Sequence, residues 1–319
     1  MKAIEFRKYG PPEVLKVVEK NKPAPGPGEV LIKIHATAIN SGDWRVRKAD
    51  PFLVRLFFGL FRPKKSARVL GSVLSGTVEG LGEGVSRFSI GQAVFGMSDL
   101  ALGCYAEYIC LPENAPVVSA PETLSHEEAA SIPFGLHTAH HFLKPVPLNK
   151  DSRVLVIGAS GAVGSAAVQL ARMKGCHVTA VTSGTNAQLV KSLGANRVVD
   201  YRSESLGDLE PFDLVIETVD RTPNGLLRTL VKPGGHLILV SAGVKDMLLA
   251  SLRARRWGVS IYTGVASVKA EDMELFRTMI ESGEYKPVLE KVYAFEDVVE
   301  AHGHAEAGHK QGNIALKIV

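Results

Sequence analysis

The chain has 319 residues, 45% of them hydrophobic, and carries 37 basic against 33 acidic side chains for a formal charge of +4. That length is about twice a typical domain, so two domains with ample core are expected. The small basic excess forms no extended block and argues against nucleic acid as a partner.

The opening "MKAIEFRKYGPPEV" enters strand-like alternation directly, with no apolar signal core. Cys104, Cys110 and Cys176 lack the C-x-x-C spacing of a zinc ribbon or redox pair, and together these features suggest a reducing, cytoplasmic setting. Up to about Pro121, "EVLIKIHATAIN", "SGTVEGLGEGV", "QAVFGM" and "AEYICLP" read as short strands punctuated by Gly and Pro, the pattern of a small barrel. The most apolar stretch, "PFLVRLFFGLFRPKK", contains Arg55 and is too short to span a bilayer, so no membrane partner is expected. Its aromatic run from Phe52 to Phe61, with Trp44 before it, allows three readings: an apolar wall for a flat substrate, ordinary core, or a flexible flap. Arg62, Lys64 and Lys65 beyond it read as a solvated face.

Next comes a helical pattern, "SHEEAASIPFGLHTAHHFL", in which Ser125 and Glu128 have the spacing of a capping box. His137, His140 and His141 share helical spacing, but no further ligand follows at recognisable distance, so no metal site is expected there or at His302, His304 and His309. From Arg153 onward strands alternate with helices, "RVLVI", "HVTAV", "RVVDY", "DLVIETV", "HLILV" and "VSIYTG", which predicts a parallel sheet covered on both faces. "NIALKIV" at the end reads as a strand that returns to the first half.

The loop in "RVLVIGASGAVGSAAVQLARMKG" sits where a buried strand turns into an amphipathic helix. Gly158 suits the tight turn, Gly161 close approach of a pyrophosphate and Gly164 close helix packing, with backbone N–H groups aimed at the anion. The spacing is G-x-x-G-x-x-G, one position off the dinucleotide fingerprint, and no Gly-Lys-Ser/Thr follows as a nucleoside triphosphate loop would need. An NAD site places a carboxylate about 20 residues further on. No acidic residue lies between Asp151 and Asp200, and the second strand ends in Thr182, Ser183, Gly184, Thr185 and Asn186, which favours NADPH although the turn holds no Arg or Lys. Neither the G-x-S-x-G elbow of a serine hydrolase nor a Tyr with Lys four residues later is found.

With "PGPGEVLIKIHATAINSGDW", "VLGSVLSGTVEGLGEGVSRFSIGQAVFG", "YAEYICLPEN", "GASGAVGSAAVQLARMKGCHVTAVTS", "KSLGANRVVDY" and "VKPGGHLILV" in this order, the chain resembles the zinc-independent quinone oxidoreductase branch of the medium-chain dehydrogenase/reductase superfamily. The resemblance implies an α/β protein with a GroES-like β-barrel domain from residues 1–122 and 285–319 and a Rossmann doubly wound parallel-sheet domain from 123–284, with the active site in the cleft. By motif position, Ser160, Gly161, Ala162, Val163 and Gly164 would line the pyrophosphate, Ser183 and Tyr201 would lie near the 2′-phosphate, and Gly312 and Asn313 would approach the nicotinamide. Asn40 and Asp43 stand where the family places polar residues around substrate and nicotinamide, as catalytic candidates or as a structural turn. Zinc-dependent relatives carry Cys and Gly-His-Glu at the positions of Asn40 and Gly71-Ser72-Val73, so no metal is expected.

The implied reaction is hydride transfer from NADPH to a quinone or an α,β-unsaturated carbonyl, because an alcohol has no Lewis acid here to lower its pKa. Reduction of another small carbonyl or alkenal is the nearest alternative, and NADPH binding without turnover, as a sensor or partner protein, is another. The last Rossmann strand, "VSIYTG", is implied as the edge of a homodimer.

Overall fold

Six short apolar runs, each flanked by turn residues and followed by a helix or turn, build a parallel sheet, since such runs bury both faces only when helices cover them. In the computed structural model, which describes residues 1–308 and 310–319, these strands are β1 (Arg153–Ile157), β2 (His177–Thr182), β3 (Arg197–Asp200), β4 (Phe212–Glu217), β5 (Val231–Leu239) and β6 (Ser260–Thr263). Their order in space is β3-β2-β1-β4-β5-β6, every pair parallel. This is the doubly wound order, and it reverses direction between β1 and β4, where such sheets bind ligands. Leu155, Val181, Val199, Val215, Leu227 and Leu237 belong to the core beneath.

The helix after β1, α1 (Ala162–Met173), buries Ala166, Ala167, Leu170 and Ala171, which recur at helical spacing. It stops at Lys174, and Gly175 takes the left-handed φ of +78° that ends helices without Cβ strain.

This sheet belongs to a compact unit of residues 135–267 and 284–286; residues 1–134, 268–283 and 287–319 form the other. The second unit is built on a seven-stranded sheet whose hub is the strand Glu29–Ala38, which pairs antiparallel with Val73–Leu81, Tyr108–Pro112 and the C-terminal Asn313–Lys317. Register shifts between Leu31 and Ile32 and between Ile34 and Ala36 mark irregularities that bend a strand and let the sheet curl round one core. Ile4, Phe6, Ile32, Ile34, Leu74 and Leu316 fill that core and are fully buried. The C-terminal strand thus returns to the N-terminal half, and the helix Ala270–Glu281 packs against Val117–Ser119 in the same unit.

The capping box forms as the spacing predicts: Ser125 Oγ accepts from Glu128 N at 3.2 Å and Glu128 Oε2 accepts from Ser125 N at 3.0 Å, opening the helix His126–Leu143. His309 lies outside the described residues.

Candidate active site

At the end of β1 the three glycines have different physical reasons. Gly158 has φ +78°, and a Cβ there would strike Thr218 and Val219 at the end of β4. A Cβ on Gly164 would lie 2.8 Å from Ala159 Cα and collide with the Gly158 carbonyl, so the packing of α1 on the loop demands it. Gly161 differs: its φ of −77° and ψ of 175° suit any residue, and a Cβ would meet nothing nearer than the Gly158 carbonyl at 3.5 Å. Nothing within the chain requires glycine at 161. It caps α1 without a side-chain acceptor, leaving the N-terminal amides of Ala162, Val163 and Gly164 for an anion. A pyrophosphate fits that cradle, because close approach of a ligand supplies the missing reason for Gly161.

The loop is held from both sides. Ser160 Oγ accepts from Thr182 Oγ1 at 2.9 Å and from Asn186 Nδ2 at 3.0 Å, which ties it to the turn after β2. Across the topological switch, Thr218 Oγ1 donates to the Ile157 carbonyl at 2.8 Å, and the buried Glu217 carboxylate accepts from Val219 N and Asp220 N at 3.2 and 2.6 Å. Burial pushes the Glu217 carboxyl above its ordinary value, against the pull of these amides.

Ser183 lies in the turn after β2, its Oγ 2.9 Å from Thr185 Oγ1, and the buried Asn186 Oδ1 has no partner. Tyr201 is half exposed at the end of β3, with its N–H bonded to the Thr182 carbonyl and the Arg202 guanidinium 5.9 Å from its ring centroid. Because Asp200 stands opposite Thr182 in the β2–β3 register, folding also carries the Asp200 carboxylate next to Gly184. The stretch without acids in the sequence is therefore not free of acids in space; Arg202, the first cation after Asp200 in the chain, donates its backbone N–H to Asp200 Oδ1 at 3.0 Å and holds its guanidinium near the Tyr201 ring.

The other candidates gather in the second unit. Ala38 faces Ala315, and Ile39 N bonds to the Ile314 carbonyl at 2.9 Å, so Asn40 and Asn313 come opposite one another at one end of adjoining strands. Both are buried, and in both the side-chain Oδ1 has no partner. Asn40 Nδ2 has only a 3.5 Å contact to the Ala38 carbonyl, whereas Asn313 Nδ2 donates to the Val288 carbonyl at 3.2 Å. Gly312 is needed by the chain itself: its φ is +63° and a Cβ would strike Val288.

Asp43 sits in the first turn of the helix Ser41–Lys48, and its carboxylate is committed: Oδ2 accepts from Asn40 N at 2.8 Å, Oδ1 from Gly71 N at 3.1 Å, and Tyr105 hydrogen-bonds to it as well. Desolvation lifts its pKa to about 6 even against these donors. Tyr105 in turn lies 3.1 Å from His302 Nε2, and burial, helped by the Arg47 charge, depresses His302 to about 3, so the imidazole is neutral. The sequence did not disclose this Asp43–Tyr105–His302 chain, nor Glu217, Thr218 or Arg202. Among the described residues, no three His, Cys, Asp or Glu side chains gather as a metal centre would need.

Residues 26–122 match the alcohol dehydrogenase GroES-like domain, and residues 193–316 match a family model described as zinc-binding dehydrogenase. The fold and the glycine loop thus define a two-domain dehydrogenase/reductase. The chain is 30% identical to the NAD(P)H oxidoreductase RTN4IP1 of Danio rerio, over 100% of this chain and 92% of that one. It is 31% identical to the 2-methylene-furan-3-one reductase of Solanum lycopersicum, over 99% and 79%. The quinone oxidoreductase structure from Coxiella burnetii superimposes with a TM-score of 0.90 at 28% identity, over 100% of this chain and 99% of that one. The chain belongs to the quinone oxidoreductase branch of the medium-chain dehydrogenase/reductase superfamily; it is an oxidoreductase with a nicotinamide cofactor.

Proposed function

We propose that the protein reduces a quinone or an α,β-unsaturated carbonyl with NADPH, without zinc. The observation that carries this reading is Asn40: a neutral amide, buried and incompletely hydrogen-bonded, stands where a zinc-dependent relative needs a thiolate. Ser72 and Val73 likewise supply no imidazole or carboxylate beside it. An alcohol would gain no acidity from such a site, whereas an electrophilic acceptor needs only a donor for the charge that develops on its oxygen. When bound, the nicotinamide would supply the hydride.

In this reading Asn40 Nδ2 donates to the acceptor oxygen, and the proton that completes reduction comes from water. Asp43 acts through Asn40 as a positioning residue, since its carboxylate fixes the Asn40 backbone N–H. The Asn313 Oδ1 stands ready to accept from an amide such as the nicotinamide carboxamide. Ala162, Val163 and Gly164 hold the pyrophosphate on their N–H groups beside Gly161, while Ser160 shapes that loop through Thr182 and Asn186. In this reading Ser183 and Tyr201 face the 2′-phosphate of NADPH, and Arg202 supplies the charge that offsets the Asp200 carboxylate beside Gly184. The branch also supports a homodimer through β6, an edge strand whose Ile261, Tyr262 and Thr263 are only half-buried.

The test is NADPH oxidation against quinones, enones, alkenals and aldehydes, with Asn40→Ala beside the wild type. Turnover with quinones or enones that falls by about two orders of magnitude on removing Asn40, as for loss of an oxyanion donor, is the expected result. Tight NADPH binding with no acceptor-dependent turnover would refute the reading.

A further inference from the structure

The segment from Pro51 to Arg68 is neither ordinary core nor an untethered flap. Its helix Val54–Phe58 packs Val54 and Phe58 against the core of its unit, and Tyr9 Oη donates to the Gly59 carbonyl at 2.6 Å. Arg55 lies over the rings of Tyr9 and Phe52 at 4.9 and 5.2 Å. With that inner face anchored, the opposite side presents Phe52, Leu53, Leu56, Phe57, Leu60 and Phe61 to solvent, Phe57 at 74% and Phe61 at 85% exposure. Such a concentration of large apolar side chains on one short element marks an interaction surface.

Charge decides what covers it. The same 18 residues hold Arg55, Arg62, Lys64, Lys65 and Arg68 and no acidic residue, a local charge of +5 in a chain whose total is only +4. Arg62, Lys64 and Lys65 are exposed immediately beyond Phe61. A second copy of this surface would bring like charges together, whereas an anionic lipid surface takes apolar rings into its acyl boundary and basic side chains at its headgroups.

We propose that residues 51–65 dock the protein on an anionic lipid surface, Phe57 and Phe61 inserting and Arg62, Lys64 and Lys65 engaging the headgroups. No helix among the described residues is long and apolar enough to cross a membrane, so this is peripheral attachment. The inference goes beyond the reductase reading and does not depend on it, although it would place the enzyme where lipophilic acceptors dissolve.

The full chain would be floated with phosphatidylcholine vesicles, with and without phosphatidylserine, at low and high salt. Wild-type protein should float with the phosphatidylserine vesicles and be released by salt. Phe57→Ser/Phe61→Ser should lose at least about tenfold in binding, as should Lys64→Glu/Lys65→Glu, since each surface basic residue is worth roughly fivefold. Circular dichroism and NADPH titration of each variant would verify that the fold is kept. Equal flotation of wild type and variants, or no flotation of folded wild type, would overturn the proposal. So would concentration-dependent self-association abolished by the Phe57→Ser/Phe61→Ser change without any lipid binding, which would make a second copy the occupant.

Discussion

Replacing Gly161 with Ala separates the chain's own needs from those of a ligand. The backbone at 161 is ordinary for alanine, and the new Cβ would touch only the Gly158 carbonyl at 3.5 Å, a normal contact. Without cofactor, G161A should therefore match the wild type or gain roughly 0.4–1 kcal/mol from a less free unfolded chain. If a pyrophosphate lies against Gly161, the methyl must displace it. Overpacking by one carbon costs about 1–3 kcal/mol, which is roughly fivefold to more than a hundredfold in Kd. Gly164→Ala is the control with the opposite signature: its Cβ collides with the Gly158 carbonyl, so the apo protein itself should lose about 1–3 kcal/mol. Urea denaturation of the apo proteins and fluorescence titration with NADPH measure the two quantities separately. Unchanged NADPH affinity in a stable G161A would refute the placement of the pyrophosphate.

Three further outcomes are expected. Arg202→Gln should raise the Kd for NADPH about tenfold, the worth of one phosphate-directed charge-assisted contact, and leave NADH nearly unchanged; equal effects on both would remove Arg202 from the 2′-phosphate. Burial raises the Asp43 carboxyl from 3.8 to about 6, so the folded chain holds this proton more tightly than the unfolded one, and the favourable contribution present below about pH 4 is lost as pH rises through 6. The stability of wild type minus that of Asp43→Asn, from urea melts at pH 4 to 8, should accordingly fall across that window; a flat difference would contradict the buried, committed carboxylate. Ile261→Lys, on the β6 edge, should shift sedimentation from dimer to monomer with the fold intact, and a wild type that is monomeric throughout would dispose of the β6 interface.

Much of the fold was legible because its signals are local. β1 and β4 hold the apolar runs 154–157 and 214–216, α1 repeats its buried face at helical spacing, and Ser125 and Glu128 lie three residues apart. The site was legible only where its residues are consecutive, as from Ser160 to Gly164. Asp200 escaped because a helix and the rest of strand β3 separate it from Ser183, and only the β2–β3 register sets it beside Gly184. His302 reads in sequence as a helical histidine with no ligand set, while its partner Tyr105 is 197 residues away. The run from Phe52 to Phe61 has the composition of a core, and periodicity over so short an element does not say which face lacks a neighbour.

The distribution of satisfied and unsatisfied polar groups in the N-terminal unit bears on why Asn40 is worth its cost. An amide oxygen buried without a partner destabilises by about 1–3 kcal/mol, and both Asn40 and Asn313 carry one. Immediately beside Asn40, the equally buried Asp43 finds donors in Asn40 N, Gly71 N and Tyr105, so the same turn is able to satisfy polar groups. The two asparagines also lie opposite one another at one strand end rather than scattered through the core. Packing alone would favour apolar residues at both positions. A ligand that met both amides would relieve both penalties at once, and their cost in the free protein would return as affinity and orientation in the complex.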